Sequence, residues 1–135
     1  MIFLWEVSED DTEFLFEILK ERDNVTNFSN HNIPDFEQHV NFIKSNPYHK
    51  WYVIVDEKVK VGTINLDKEN GIGTYILKKH QNKGYGVNAI KELIKLNPRK
   101  KYYANINPEN LNSIKLYTKC GFEHIYNHYE LKNEV

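Results

Sequence analysis

The chain contains one cysteine, Cys120, among 135 residues, so it cannot form an internal disulfide. It has no apolar run approaching the ~20 residues that a membrane-spanning helix needs. The N-terminus, Met1-Ile2-Phe3-Leu4-Trp5-Glu6, lacks the basic start and long apolar core of a secretory leader. These absences lead to the expectation of a cytoplasmic protein with no membrane partner. An excess of one charge is lacking too: 18 Lys and Arg stand against 19 Asp and Glu, for a net −1. No strong overall field draws such a chain to nucleic acid. Repeats, low-complexity tracts and linkers are also absent. What is present suits one core: 40% hydrophobic residues, with nine Tyr and seven Phe. The length fits a single domain over residues 1–135.

A strand-like apolar run, Ile72 to Leu77, leads into Lys78-Lys79-His80-Gln81-Asn82-Lys83-Gly84-Tyr85-Gly86-Val87. Val87, Ile90, Leu93 and Ile94 then recur at helical spacing. Strand, glycine-containing turn and helix together can bind phosphate. Unpaired N–H groups converge at the helix start, and the helix dipole adds partial positive charge there. Gly84 and Gly86 have no Cβ to keep an anion from the backbone. The plainer alternative is an ordinary turn. Two common phosphate motifs are excluded. A P-loop needs Lys then Ser or Thr after its last glycine, whereas Val87-Asn88 follows Gly86. A dinucleotide fingerprint needs three glycines and an acid about 20 residues on, and Tyr102 to Ile106 contains no acid.

A second stretch, Asn107 to Phe122, reads as a helix punctuated at both ends. Asn107 suits the N-cap and Pro108 the first helical position. Glu109 suits the positive end of the dipole, and Gly121 a left-handed C-cap.

In this order, the two stretches resemble the GNAT superfamily of acyl-CoA-dependent N-acyltransferases. That family's cofactor loop has Gln or Arg, two residues, Gly, one residue, then Gly or Ala, which Gln81, Gly84 and Gly86 match. Its later motif is matched by Asn110, Ser113, Leu116-Tyr117 and Gly121-Phe122. The resemblance implies an α+β fold. Its single mixed, mostly antiparallel sheet is flanked by about four helices and splays at the acyl-CoA site. It implies acetyl-CoA as co-substrate and no metal. The backbone of Asn82, Lys83, Gly84, Tyr85, Gly86 and Val87, with Gln81, would hold the pyrophosphate. The strand backbone at Tyr75, Ile76, Leu77 and Lys78 would pair with the pantetheine arm, and Asn110 would contact the cofactor. Tyr117 would be the general acid. A phenol with a pKa near ~10 can protonate a leaving thiolate. Its bland alternative is one more buried aromatic on an amphipathic helix. A non-catalytic acyl-CoA-binding module would keep the glycine loop without needing Tyr117.

The general base is a departure. Many family members carry Glu at the start of the strand before the loop, where this chain has Gly71 or Ile72. Asp67 and Glu69, just upstream, read as solvated turn acids. His31, Asp35 and His39 lie in or beside the second helix, which borders the acceptor site in the family, and deprotonation through water is equally open. Cys120, beside Gly121, reads as packing.

The remaining layout follows from periodicity and punctuation. Ile2 to Val7 is a first strand, and Ser8 with Asp11 makes a capping-box-like helix start. Phe14, Leu15, Ile18 and Leu19 share one helical face. Arg22 to Ile33 is a loop. Pro34 opens a second helix with Phe36, Val40 and Ile43 at helical spacings of four and three, ended by Asn46-Pro47. Trp51 to Val55 and Val59 to Leu66 form a hairpin around Asp56-Glu57-Lys58. A later strand is expected near Lys101 to Ile106, and a last strand or hairpin from Phe122 to Leu131.

The acceptor implied by resemblance is a primary amine. Asn27-Phe28-Ser29, Glu37-Gln38-His39 with Phe42-Ile43, and Trp51-Tyr52-Val53-Ile54 resemble the branch that acetylates the 4-amino group of nucleotide-linked deoxy sugars. Protein N-terminal amines and other small amines are the alternatives. Arg22, His31, His49 and Trp51 could form a cationic, aromatic acceptor cleft. The expected assembly is a monomer or homodimer.

Overall fold

The computed structural model describes residues 1–22 and 35–133. In chain order they form β1 (Ile2–Glu6), α1 (Thr12–Glu21), α2 (Phe36–Lys44), β2 (Lys50–Asp56), β3 (Val59–Leu66), β4 (Ile72–Ile76), α3 (Tyr85–Leu96) and α4 (Leu111–Lys119). The four strands make one antiparallel sheet in sequence order. β2, β3 and β4 follow one another through short turns that set their register, whereas α1 and α2 lie between β1 and its neighbour β2. The β2–β3 hairpin closes through Glu57 and Lys58, at φ +47° and +70°. Both are left-handed, as a two-residue loop that follows strand twist requires.

Alternation along the strands divides the core. Tyr52, Ile54, Ile64, Leu66 and Ile72 pack with Ala89, Ile90 and Leu93 of α3 and with Tyr117 of α4. Buried Val53, Val55 and Thr63 alternate with that set and face the other side, where α1 and α2 bring Leu15, Ile18 and Ile43. The Ser8–Asp11 capping box forms, although it opens a short 3-10 turn ahead of α1.

Several expectations need correction. The helix expected from Asn107 begins at Leu111. This tract holds two competing caps. Asn107 closes a separate turn, accepting from Glu109 N–H on Oδ1 at 2.9 Å, and Asn110 caps the helix through Ser113 N–H at 3.2 Å. The C-terminal end is as expected. Gly121 has φ +97°, and its N–H and that of Phe122 donate to Thr118 and Tyr117 carbonyls, a Schellman ending. In α2 the inward residues are His39 and Ile43, while Phe36 is exposed. Asp35 is the N-cap in a capping box with Gln38. The segment near Lys101 to Ile106 joins the sheet through one parallel bridge, Gly71 with Tyr103. With so short a ladder there, Phe122 to Leu131 has no sheet edge to extend. It forms no strand, and Ile125, Tyr129 and Leu131 are exposed.

Candidate active site

Among the described residues β4 pairs along its length with β3 and on its other side has a single bridge at its start. Leu77 N–H donates to Val61 and Asp67 N–H to Gly71, each at 2.9 Å. By antiparallel alternation, Gly73 and Tyr75 also turn their main chain toward β3. Ile72, Thr74 and Ile76 turn theirs toward the outer edge. Ile72 N–H donates to Tyr103 O at 2.7 Å, and among the described residues no further bridge joins the two segments. Two side chains cap this edge. The Tyr117 hydroxyl donates to Ile72 O at 3.1 Å, and Gln81 Nε2 donates to Ile76 O at 2.9 Å. Between them, Thr74 N–H and C=O and Ile76 N–H face the gap.

Of the strand residues expected to meet pantetheine, Ile76 therefore has an outward N–H. Tyr75 and Leu77 direct theirs to β3, and Lys78 N–H donates to the Glu21 carboxylate at 2.6 Å. Thr74 was missed. Its signal was parity: once Leu77 is paired with β3, every second residue before Ile76 must face outward.

The helix start lies at the far end of this edge. Gly84 is the α3 N-cap at φ +84° and has no side-chain cap. The first helical bond is Asn88 N–H to Gly84 O, so the N–H groups of Tyr85, Gly86 and Val87 have no partner within the helix. The two glycines serve different ends. A Cβ on Gly84 would meet nothing nearer than Asn88 Nδ2 at 4.0 Å, which leaves the backbone open to a ligand. One on Gly86 would lie 3.0 and 3.1 Å from the Leu116 methyls, so this glycine lets α3 pack on α4. Asn82 is left-handed at φ +64°, and Lys78, Lys79 and Lys83 are exposed around the loop. Tyr85 donates its hydroxyl to Asp56 at 2.6 Å, fastening the loop to the β2–β3 turn. That bond pulls the Asp56 carboxyl below its usual range and pushes the Tyr85 phenol up.

Tyr117 is 4% exposed, with its ring edge-on to Phe122 at 5.1 Å. Burial, with a smaller contribution from Cys120, pushes its phenol well above the ordinary tyrosine value. Burial also raises the Cys120 thiol. At neutral pH Tyr117 therefore carries its proton and can act as an acid.

On the α1/α2 side of the split lies a cleft of about 240 Å³, lined by Arg22, Tyr48, Asn65, Asp67, Thr74 and Asn105 among others. Burial raises the Tyr48 phenol; Arg22 opposes that shift and Asp67 adds to it. Of the expected acceptor residues, Arg22 lines this cleft. His49 and Trp51 line a separate cavity of about 670 Å³ beside Glu6 and Lys44, with Tyr48 on the wall of both. His31, Pro34 and Asn27-Phe28-Ser29 lie outside the described residues. The Asp35 carboxylate is occupied at its cap. His39 is 2% exposed among Phe16 and Phe36, with Nε2 at 3.1 Å from Thr12 O. Asp67 departs from the expected solvated turn acid. It is half-buried in the cleft wall, with Oδ1 accepting from Glu69 and Gly71 N–H at 2.8 Å each.

A sheet edge half-opened between two bridging side chains, with an uncapped helix at its end, has the geometry to receive an extended, phosphorylated ligand. Residues 2–123 match the acetyltransferase (GNAT) domain family. The chain belongs to this family and is an acetyl-CoA-dependent N-acetyltransferase. Its fold is similar to that of a domain from Methanocaldococcus jannaschii, at 22% identity and TM-score 0.81, covering 96% of this chain and 93% of the other. It is similar to a dodecameric spermidine N-acetyltransferase from Vibrio cholerae, at 18% identity and TM-score 0.73, covering 93% and 81%. It is also similar to an aminoglycoside acetyltransferase solved with coenzyme A, at 18% identity and TM-score 0.71, covering 91% and 84%. No curated protein sequence matches the chain significantly. Among the described residues, no helix is long and apolar enough to cross a membrane.

Proposed function

We propose that this cytoplasmic enzyme transfers acetyl from acetyl-CoA to a primary amine, with Tyr117 protonating the leaving thiolate. The acceptor we favour is the 4-amino group of a nucleotide-linked deoxy sugar. One observation carries the transfer reading: the Tyr117 hydroxyl sits on Ile72 O, where β4 loses its outer partner. A pantetheine arm pairing with Thr74 and Ile76 would bring its thioester to that hydroxyl. The pyrophosphate would then lie at the α3 N-terminus, against Gly84 and the N–H groups of Tyr85 to Val87. Gln81 positions the edge through Ile76 O, and Asn110 braces the first turn of α4, which presents Tyr117.

The raised phenol does not disqualify Tyr117. The burial that penalises a phenolate also penalises a thiolate formed beside it, so proton transfer depends on the difference between them. The sugar reading draws on the resemblance in the sequence, and on Arg22 and Tyr48 in the acceptor cleft. A guanidinium and an aromatic ring suit a phosphate-linked base and sugar. Thiol release from acetyl-CoA, assayed with a nucleotide-linked 4-amino sugar, spermidine, an aminoglycoside and an alanyl peptide, tests both levels. Preference for the sugar is expected. A higher kcat/KM for any other amine would replace the acceptor assignment. Absence of release with every amine would remove the transfer reading.

A further inference from the structure

An amine protonated at neutral pH cannot attack a thioester until a group takes its proton. From the geometry of the β3–β4 turn, we infer that Asp67 is that group, its free carboxylate oxygen standing in the acceptor cleft above Gly71. The inference rests on the placing of the thioester beside Ile72. Four observations carry it. A Cβ built on Gly71 would lie 2.4 Å from Asp67 Oδ2 and 3.0 Å from its Cγ. The Asp67 carboxylate thus fills the space that a side chain at position 71 would occupy. Its Oδ1 is anchored by two backbone N–H groups, from Glu69 and Gly71. Its Oδ2 accepts no hydrogen bond among the described residues. Finally, Asp67 lines the cleft with Tyr48, Asn65 and Asn105, and Gly71 directly precedes Ile72, whose carbonyl carries the Tyr117 hydroxyl. The carboxylate thus stands over Gly71 and the phenol on the carbonyl of Ile72, neighbouring residues where the sheet splits.

The step balances as follows. An ammonium R–NH3⁺ gives one proton to Oδ2, directly or through one water. The freed lone pair forms the N–C bond at the thioester carbon as the C–S bond breaks. The thiolate takes the Tyr117 proton, the nitrogen's surplus proton restores the phenol, and Asp67 releases its proton to water. The products are the acetamide, the free thiol and one proton. The same carboxylate attracts a cationic acceptor before transfer, so the acceptor class is an amine that enters the cleft protonated.

Asp67→Asn is the main test, because the amide keeps an Oδ1 acceptor for the turn and loses the base. The full chain is assayed for thiol release with butylamine, protonated at neutral pH, and with trifluoroethylamine, largely neutral there. With butylamine, Asp67→Asn should be slower by about 10²-fold. With trifluoroethylamine the rate should stay near wild type, and the butylamine deficit should shrink as pH rises and the amine deprotonates in solution. Acetyl-CoA should raise the melting temperature of variant and wild type alike. Gly71→Ala, whose methyl displaces the carboxylate, should reproduce the butylamine-selective loss. Tyr117→Phe should slow both amines, which separates failure of the site from failure of the base. Equal slowing of the two amines by Asp67→Asn, or a wild-type rate with butylamine, would overturn the inference. Failure of the wild type to acetylate these probes and every panel amine would remove the transfer site, and the role of Asp67 with it.

Discussion

Tyr117→Phe separates chemistry from packing at the centre of the site. The variant keeps the ring that packs edge-on against Phe122 at 5.1 Å and loses only the hydroxyl. Two consequences follow. If the hydroxyl protonates the thiolate, kcat should fall by about 10²-fold, or roughly 2.7 kcal/mol of transition-state stabilisation. Separately, Ile72 O loses its donor in a buried setting, at a cost of about 1–2 kcal/mol. For a chain of this size that lowers the melting temperature by about 4–8 °C. Acetyl-CoA affinity should change little, because the open N–H groups of α3 lie at the other end of the edge. Single-turnover rates, thermal melts and acetyl-CoA titration on one preparation resolve the three quantities. A folded variant with lower stability but a wild-type single-turnover rate would refute the general-acid role and reduce Tyr117 to a structural hydroxyl.

Three other expectations follow from the geometry. Gly84→Asp places a carboxylate on a left-handed backbone facing open space, where an anion would bind. It should weaken acetyl-CoA binding at least about tenfold without unfolding the protein, and unchanged affinity by calorimetry would exclude this loop as the phosphate site. His39 has its pKa lowered below 6.5 by burial, against a smaller raising by Thr12 O. Its folded state binds fewer protons than the unfolded one, so its contribution is fully present above pH 6.5. That contribution declines as pH falls from there toward the lowered folded value. Urea midpoints should drop over that window in the wild type and less steeply in His39→Leu; parallel curves would contradict this. Gly62→Ala should destabilise by roughly 1–3 kcal/mol, because its Cβ would lie 2.2 Å from Tyr75 O, a backbone atom that cannot move without opening β3–β4. A wild-type denaturation midpoint for Gly62→Ala would show that the ladder accommodates the methyl.

Features governed by neighbours in the sequence were legible before any fold. The β2–β3 hairpin, β4, the loop at Gln81 to Gly86, α3 and the Gly121 ending depend on periodicity, turn chemistry and local backbone sterics. Each residue's preference agrees with those beside it. The paired motifs around Gly84 and Tyr117 were legible for the same reason. Tertiary structure decided which signals won where two were available. Asn107 and Asn110 can both cap a helix, and only packing selects Asn110. Phe122 to Leu131 carries strand-forming residues, but a strand exists only where an edge receives it. Gly84 and Gly86 look equivalent in a motif, yet one faces open space and the other faces Leu116. Asp67 reads as a solvated turn acid until the missing side chain of Gly71, four residues later, gives its carboxylate a place in the cleft. Local spacing determined the elements and the glycine-containing loop proposed to receive the cofactor. The contact of Tyr117 with Ile72 O and that of Asp67 with Gly71 depend on contacts across the sheet and on the space left by an absent side chain, which spacing along the chain does not encode.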